Sequence, residues 1–487
     1  MLLGTVYAAL VVHTSQLSLK NPKTPWIATE LKQSAESSHP SIVEAYETAE
    51  RSVAALESSS LENSHGAGQS GNRYNDEYLI KSCVEGQIDH RKLEESLGDY
   101  TRAVKIRRQF IQNQRSTVSK EPNFMDSVPF QNLDYSSIFH RCCENVIGYV
   151  PIPVGIAGPL VIDGEPLYVP IATTEGALTA SISRGAKAIS MGGGATAFLN
   201  ANSITRAPCL KFLSLSRARQ AKEWLESGDA EEIIKSAFSG TSGHITFEGL
   251  TTFMVGELLY VRFKAFTGDA MGMNMVSIAA DNALACMKRS GFEDMEVISL
   301  SGNVCSDKKS AAINWLEGRG KSVSAQARIP AKVVESVLKT TPSALVELNT
   351  AKNLIGSAIS CSLGGFNAHA SNTVSAIFLA TGQDVAQNVE SSNCITTMSL
   401  VADDLLISVT MPSIEVGTVG GGTILPAQAS LLDLLGVRGS SPHGPGVNSA
   451  KLAKIIASTV LAGELSVCAA LASNDLVRSH QKLNRKR

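Results

Sequence analysis

Hydrophobic positions change their period several times along the chain. From about Asp76 they recur at helical spacing: DEYLIKSCVEGQI stops on a glycine. HRKLEESLGDYTRAVKIRRQFI then places Leu93, Leu97, Val104 and Ile106 on one stripe and ends on the basic pair Arg107 and Arg108. A small helical unit over 76–143 follows from this. Residues 144–206 predict short strands and Gly-rich turns, then TASISRGAKAISMGGG, a helix of small residues closed by three glycines. Residues 208–300 mix strands (TTFMVGELLYVRFKAF) with helices (SRARQAKEWLES and NMVSIAADNALACMKRSG), an α+β pattern. From 307 onward small-residue helices dominate the reading, with TVSAIFLATGQDVAQNVESS as one and AKLAKIIASTVLAGELSVCAALASNDLVRSHQKL, 450–483, as the last. Their Ala, Ser and Gly permit close backbone approach, which predicts tight helix packing and subunit contacts. Residues 13–75, rich in Ser, Glu, Ala and Asn, read as a disordered linker. No repeat of fixed period appears.

Composition narrows the class. The 487 residues exceed one typical domain, and 44% hydrophobic against 18% charged residues suffices for a sizeable core. A net charge of −2 gives no electrostatic case for nucleic acid or an anionic membrane, so cations for an anionic substrate must be concentrated locally. Nine cysteines, including Cys142 and Cys143 but without CxxC spacing, point to reduced thiols in a reducing compartment and argue against a zinc or other metal site. Residues 1–12 are apolar but shorter than the roughly 20 residues that span a bilayer. They lack a basic flank and a cleavage site, and no other run reads as a span. The expectation is a soluble, cytoplasmic protein, or one cut from an endoplasmic-reticulum anchor.

Candidate chemistry gathers in a few stretches. GNVCSDKKSAAINW, 302–315, puts Asp307, Lys308 and Lys309 in a turn before a small-residue run. Ser306 or Asp307 would serve as a helix N-cap, yet two lysines suit that positively polarised end poorly. FLATGQDVAQN places Asp384 on an otherwise apolar helix, where a buried carboxylate is costly unless paired. Lys308 would be its partner, with Glu175 of TTEGALTAS sharing the network. DAMGMNM, 269–275, is a Gly-Met turn at a helix start; like MGGGA and VGGGT it lacks the dinucleotide-fingerprint spacing and is either a phosphate cradle or a plain turn. His480, beside Ser479 near the end of the last helix, is either dipole decoration or a functional group.

Together, CCENVIGYVPIPVGIAGPL, TTEGALTAS, DAMGMNM, SGNVCSDKKSAAINWLEGRGK, NLIGSA with GGFNAHASN, GQDVAQNVESSNCIT and MPSIEVGTVGGGT resemble, in order, the catalytic part of eukaryotic-type 3-hydroxy-3-methylglutaryl-CoA (HMG-CoA) reductases over about 76–487. The resemblance implies a two-hydride, NADPH-consuming reduction of the CoA thioester to mevalonate and free CoA, on the route to sterols and other isoprenoids. Glu175, Lys308, Asp384 and His480 look like the catalytic four. By the family's chemistry Lys308 stabilises the developing oxyanion, Asp384 keeps it charged and oriented, Glu175 supplies a proton and His480 protonates the departing thiolate. By the same pattern the substrate carboxylate meets Arg184, Arg206, Ser301, Asp307, Lys309, Lys352 and Asn372. CoA meets 181–187 (Ser181 and Lys187 included), Arg319, Gly320, Lys321, Lys339 and Ser479. NADP meets Ser242, Asp269, Ala270, Met271, Gly272, Met273, Asn274, Met275, Val276, Asn484 and Arg485.

The implied architecture is α+β. It has a helical N-domain over 76–143, a large helix-rich substrate domain from 144–206 and 308–487 around a central long helix, and an inserted ferredoxin-like NADP domain over 208–300. Active sites at subunit interfaces imply a homo-oligomer, a tetramer or dimer, in which Lys308 and His480 need not share a chain with their partners. Three departures stand out. Gly243 replaces an arginine common in the family, which predicts weakened selectivity for NADPH over NADH unless Arg485, Lys486 or His244 compensates. Lys486 stands where animal members carry a phosphorylatable serine. The membrane domain usual in eukaryotic members is not in this sequence. A non-catalytic paralogue that binds CoA ligands or pairs with an active enzyme is the rival reading.

Overall fold

The computed structural model describes residues 75–115 and 123–473. Their contacts group into two compact units, one up to Ser127 and one from Val128 onward.

The first unit is helical: α1 (Asp76–Val84), α2 (Leu93–Leu97) and α3 (Tyr100–Arg115). The Asn75 side chain accepts from the Glu77 N–H and caps α1. Leu79, Cys83, Leu93, Ala103 and Ile106 form a small core. Arg107 is buried beside it, its guanidinium bonded to Glu94 at 2.7 Å.

The second unit is built on sheets and one long helix. Strands β1 (Val154–Ile162) and β2 (Glu165–Ala172) form an antiparallel hairpin. The helix α4 (Leu178–Met191) follows, then β3 (Thr196–Arg206) and β4 (Cys209–Lys211). Next come α5 (Leu215–Leu225), α6 (Gly228–Ser239), β5 (Thr246–Val255), β6 (Leu258–Phe266), α7 (Met273–Arg289) and β7 (Glu296–Ser299). The segment from β4 to β7 runs β-α-α-β-β-α-β with strand order β7-β4-β6-β5, a ferredoxin-like arrangement with one extra helix, as the family resemblance implied. Its own core holds Phe212, Phe238, Phe263 and the buried face of α7.

Beyond residue 307 helices dominate as expected, but strands absent from the sequence reading run between them. The short helix α8 (Ala312–Glu317) leads into β8 (Gly320–Ile329). After α9 (Pro342–Leu348), β9 (Gly365–Phe366), α10 (Ala370–Thr381) and α11 (Asn388–Ser391) come β10 (Cys394–Val401) and β11 (Asp404–Ile414). These strands join β3 in one sheet, in the order β3-β8-β11-β10-β9. Small residues mislead here: KSVSAQARI is rich in Ala and Ser, which suit helices, yet its alternate residues Val323, Ala325 and Ala327 are buried under a helix.

After α12 (Pro426–Leu434), that helix is α13 (Val447–Ala472). It is long and apolar enough to cross a membrane by length and composition, a possibility missed in the sequence. Most of it is buried against α4, α10 and the sheet, as suits a core helix. Mid-helix Glu464 is fully buried and satisfied, accepting from the Ala368 and His369 N–H groups at 2.7 Å each and from Thr396 Oγ1 at 2.8 Å. The expected close approach is present: a Cβ on Gly185 of α4 would lie 1.9 Å from the Ala462 carbonyl oxygen of α13.

Candidate active site

The 300–311 loop has no regular structure, and it bends through three non-glycine residues in the left-handed region, Asn303, Ser306 and Lys308 (φ 64°, 48° and 57°). Neither Ser306 nor Asp307 caps a helix. The helix α8 starts later, at Ala312, with no side-chain cap, and Ser306 Oγ turns to the Lys309 carbonyl at 3.4 Å. Nor does Asp384 sit on a helix. Gly382, at φ 70°, ends α10, and a Cβ there would meet the Gly422 carbonyl oxygen at 2.3 Å. Asp384 instead caps the 3₁₀ turn Val385–Gln387.

These two irregular segments bring together the pair expected from the sequence. Lys308 Nζ lies 2.9 Å from Asp384 Oδ2. The pair is not buried: the side chains are 41% and 40% exposed within one chain. Its hydrogen bond to Asp384 raises the Lys308 pKa above the usual lysine value, against a smaller cost of desolvation. Lys308 therefore stays cationic through neutral pH.

Behind the pair lies a buried ionic cluster that the sequence reading did not contain. Arg319 Nη1 contacts Asp307 Oδ1 at 3.3 Å, Glu390 Oε1 at 3.4 Å and Glu415 Oε1. Arg319, Glu390 and Glu415 are all buried. Asp307, Glu390 and Glu415 come close enough together to suggest a cation site, but the guanidinium contacts all three and supplies the positive charge itself. Burial pushes the Glu390 and Glu415 carboxyls upward. The visible signal was an acid in each of NVESS and MPSIEVG, runs otherwise free of charge.

This cluster corrects the expectation that Arg319, Gly320 and Lys321 meet a CoA phosphate. Arg319 is spent on the acids. Gly320, at φ 75°, passes so near β11 that a Cβ would sit 2.6 Å from the Ile414 carbonyl oxygen. Lys321 is buried and donates to the Val416 carbonyl at 3.1 Å. Asp269 is likewise occupied: its carboxylate accepts from the Ser441 and Ser449 N–H groups, at 2.9 Å each, and so holds the first turn of α13. Val276 is buried in the ferredoxin-like core, with Met271 and Met275 packed on it, and Ala270 bridges to Val419.

The remaining expected residues are more available. Glu175 is exposed in the turn before α4; among the described residues its side chain makes no hydrogen bond or ion pair with Lys308. Lys187, Lys309 and Lys339 are exposed. Ser181 and Arg184 both bond Ser466 of α13, with Arg184 Nη2 2.6 Å from its carbonyl. Lys352 reaches Asn353 at 3.1 Å, Asn372 faces His369 at 3.5 Å, and Ser301 lies 3.5 Å from the Cys305 sulfur. Arg206 carries a buried Nε without a protein partner. Ser242 Oγ accepts from the His244 N–H. Gly272, at φ 89°, opens α7 with no side chain capping its first turn, and Asn274 is exposed there, with Met273 half-buried. His480, Ser479, Asn484 and Arg485 lie outside the described residues, as do residues 1–74.

The fold and site together describe an α+β protein that presents a carboxylate-held ammonium beside a ferredoxin-like segment, an arrangement able to neutralise an oxyanion. Residues 103–485 match the family model of hydroxymethylglutaryl-coenzyme A reductase. The chain is 56% identical over 420 residues to 3-hydroxy-3-methylglutaryl-coenzyme A reductase 2 of Aspergillus fumigatus, covering 84% of this chain and 40% of that one. It is 56% identical over 405 residues to the reductase 2 of Saccharomyces cerevisiae, covering 83% and 38%. A solved class II reductase of Streptococcus pneumoniae, described as bound to NADPH in open conformations, superposes with a TM-score of 0.56 at 20% identity over 78% of this chain and 89% of that one, a likeness of fold. The chain belongs to the hydroxymethylglutaryl-coenzyme A reductase family. It spans about 40% of the length of these curated relatives.

Proposed function

We propose that this chain reduces 3-hydroxy-3-methylglutaryl-CoA to mevalonate and free CoA with NADPH, within isoprenoid synthesis. The observation that carries the reading is the 2.9 Å Lys308–Asp384 pair, assembled from two separate family motifs. An ammonium fixed in place before reaction stabilises negative charge arising on a thioester or aldehyde oxygen without reorganising at that moment. Asp384 orients it and favours its charged form. The buried, unpartnered Nε of Arg206 suits an anionic substrate, whose carboxylate also has Lys309, Lys352 and Asn372 as donors. The uncapped first turn of α7 suits a pyrophosphate. The dinucleotide, when bound, supplies hydride; the side chains supply orientation, charge and protons. Segment 208–300 is the cofactor domain in this reading, and 144–206 with 308–487 holds substrate.

Glu175 and His480 act as proton donors. Since Glu175 does not meet Lys308 within one chain, a second copy supplies it, so the working form is a homo-oligomer. The missing guanidinium at Gly243, a position with open space around a Cβ, favours relaxed nicotinamide choice.

The test is oxidation of NADPH and of NADH with the CoA thioester. Wild type turns over, and Lys308→Ala loses on the order of 10²–10³-fold in kcat, the scale of removing one oxyanion donor. A wild-type protein that binds the thioester without turnover would instead support the non-catalytic paralogue.

A further inference from the structure

Lys308 is gripped at two points by one short span of chain. Asp384 and Glu390 lie at the two ends of residues 384–390, a 3₁₀ turn running into α11. Asp384 takes the ammonium; Glu390 Oε1 accepts from the Lys308 backbone N–H at 2.7 Å. Between them, Gln387 Nε2 donates to Asp307 Oδ1 at 3.3 Å. The span is itself anchored to the sheet, because Ser391 Oγ accepts from the Glu415 N–H at 3.0 Å.

We infer that Glu390 is a positioning residue for Lys308, fixing its left-handed main chain so that the ammonium is delivered to Asp384 and the reacting oxygen. The inference rests on the role proposed for Lys308. A core built for stability alone would not need this acid. Glu390 is fully buried, its Oε2 has no hydrogen-bond partner, and it competes with Glu415 and Asp307 for one arginine. Well-packed apolar residues often replace a whole buried ionic cluster at little or no cost to stability, and Glu415 and Asp307 remain to pair Arg319 when Glu390 is changed. What an apolar residue cannot do is accept the N–H of a lysine held at φ 57°. Other contacts of the loop fall on its neighbours, with Arg319 and Gln387 on the Asp307 side chain and the Leu363 carbonyl on Ser310 Oγ, whereas Glu390 takes the Lys308 N–H itself.

Two variants separate positioning from packing. Glu390→Gln keeps volume and an acceptor; Glu390→Met keeps volume and removes the acceptor. Both are read by kcat and KM, by hydrogen exchange of the Lys308 amide and by melting temperature. For Glu390→Met, kcat falls roughly 10- to 100-fold, the scale of misplacing a catalytic group by about 1 Å, with KM for the thioester within about threefold. Its Lys308 amide exchanges faster while the rest of the protein does not. Glu390→Gln retains most activity and protection. A folded Met variant with wild-type kcat and exchange overturns the inference, as does a Gln variant that falls as far as Met. In the wild type the Lys308 amide must itself be protected, so fast exchange there overturns the inference without any variant. A Lys308→Ala variant run beside these keeps the two claims apart. Full activity in it refutes the proposed role of Lys308, whereas the exchange results still judge the grip of Glu390.

Discussion

Three consecutive residues show how far a side chain's role depends on where its backbone goes. In RGK, 319–321, every residue type suits phosphate, and none is free to meet one: Arg319 is held by acids, Gly320 is wedged against Ile414, and Lys321 is buried against Val416. For Lys321 this has a measurable sign. Burial pushes its pKa down to about 8, against the ordinary 10.5, with Asp269 and Glu415 offsetting part of the cost. Between those values the unfolded chain holds a proton that the folded one has released. Folded wild type therefore gains stability relative to Lys321→Met as pH rises from about 8 to 10, by about 2 kcal/mol. The shifted Lys308 is common to both proteins and cancels in the comparison. Parallel denaturant titrations across that range check it; a constant difference between the two proteins would refute the shift.

At the scale of elements, the second unit turns on the crossing of α4 and α13. Small residues let the two backbones approach until Gly185 has no room for a methyl group beside Ala462. The atom it would strike is a main-chain oxygen in the middle of a buried helix, so relief requires the helices to part. Gly185→Ala should cost at least the roughly 1–3 kcal/mol typical of overpacking. Because α4 carries Ser181 and Arg184 onto Ser466, parting should also weaken thioester binding. A thermal melt indistinguishable from wild type would contradict the packing described. On its other neighbours α13 finds the partners that let so apolar a helix tolerate Glu464: three donors from the α10 entry and β10 converge on its carboxylate.

For the whole molecule, the open question is which chain completes the site. Lys308 and Asp384 meet within one chain; Glu175 does not join them. If a neighbouring copy supplies it, two inactive variants can repair each other. Co-expression of Lys308→Ala with Glu175→Gln should restore up to half of the wild-type activity per mixed dimer, since one of its two sites then holds both native groups. Differently tagged chains purified through both tags give the measurement. Mixed oligomers as inactive as either parent would place the site in a single chain.

The periodic helices α1, α3, α4, α5 and α7, and the strands β5 and β6, were legible in the sequence, because each buries one face at a regular interval. The family motifs likewise marked Lys308 and Asp384 as partners. The strands β8, β10 and β11 were missed: in β8 small residues that suit tight helix packing suit a strand covered by α13 equally well, whereas CITTMSLV and DLLISVTMPSI carry the Ile, Thr and Val of ordinary strands, a signal that was present. Glu390, Glu415 and the fate of Arg319 were out of reach for a different reason. Acids 71 and 96 residues from that arginine share its charge only once the sheet and the 384–391 span have come together. The motifs that carry the family resemblance thus marked which groups this protein has for chemistry. Only the tertiary structure decided which stay available for it, because burial and long-range charge pairing belong to no single segment.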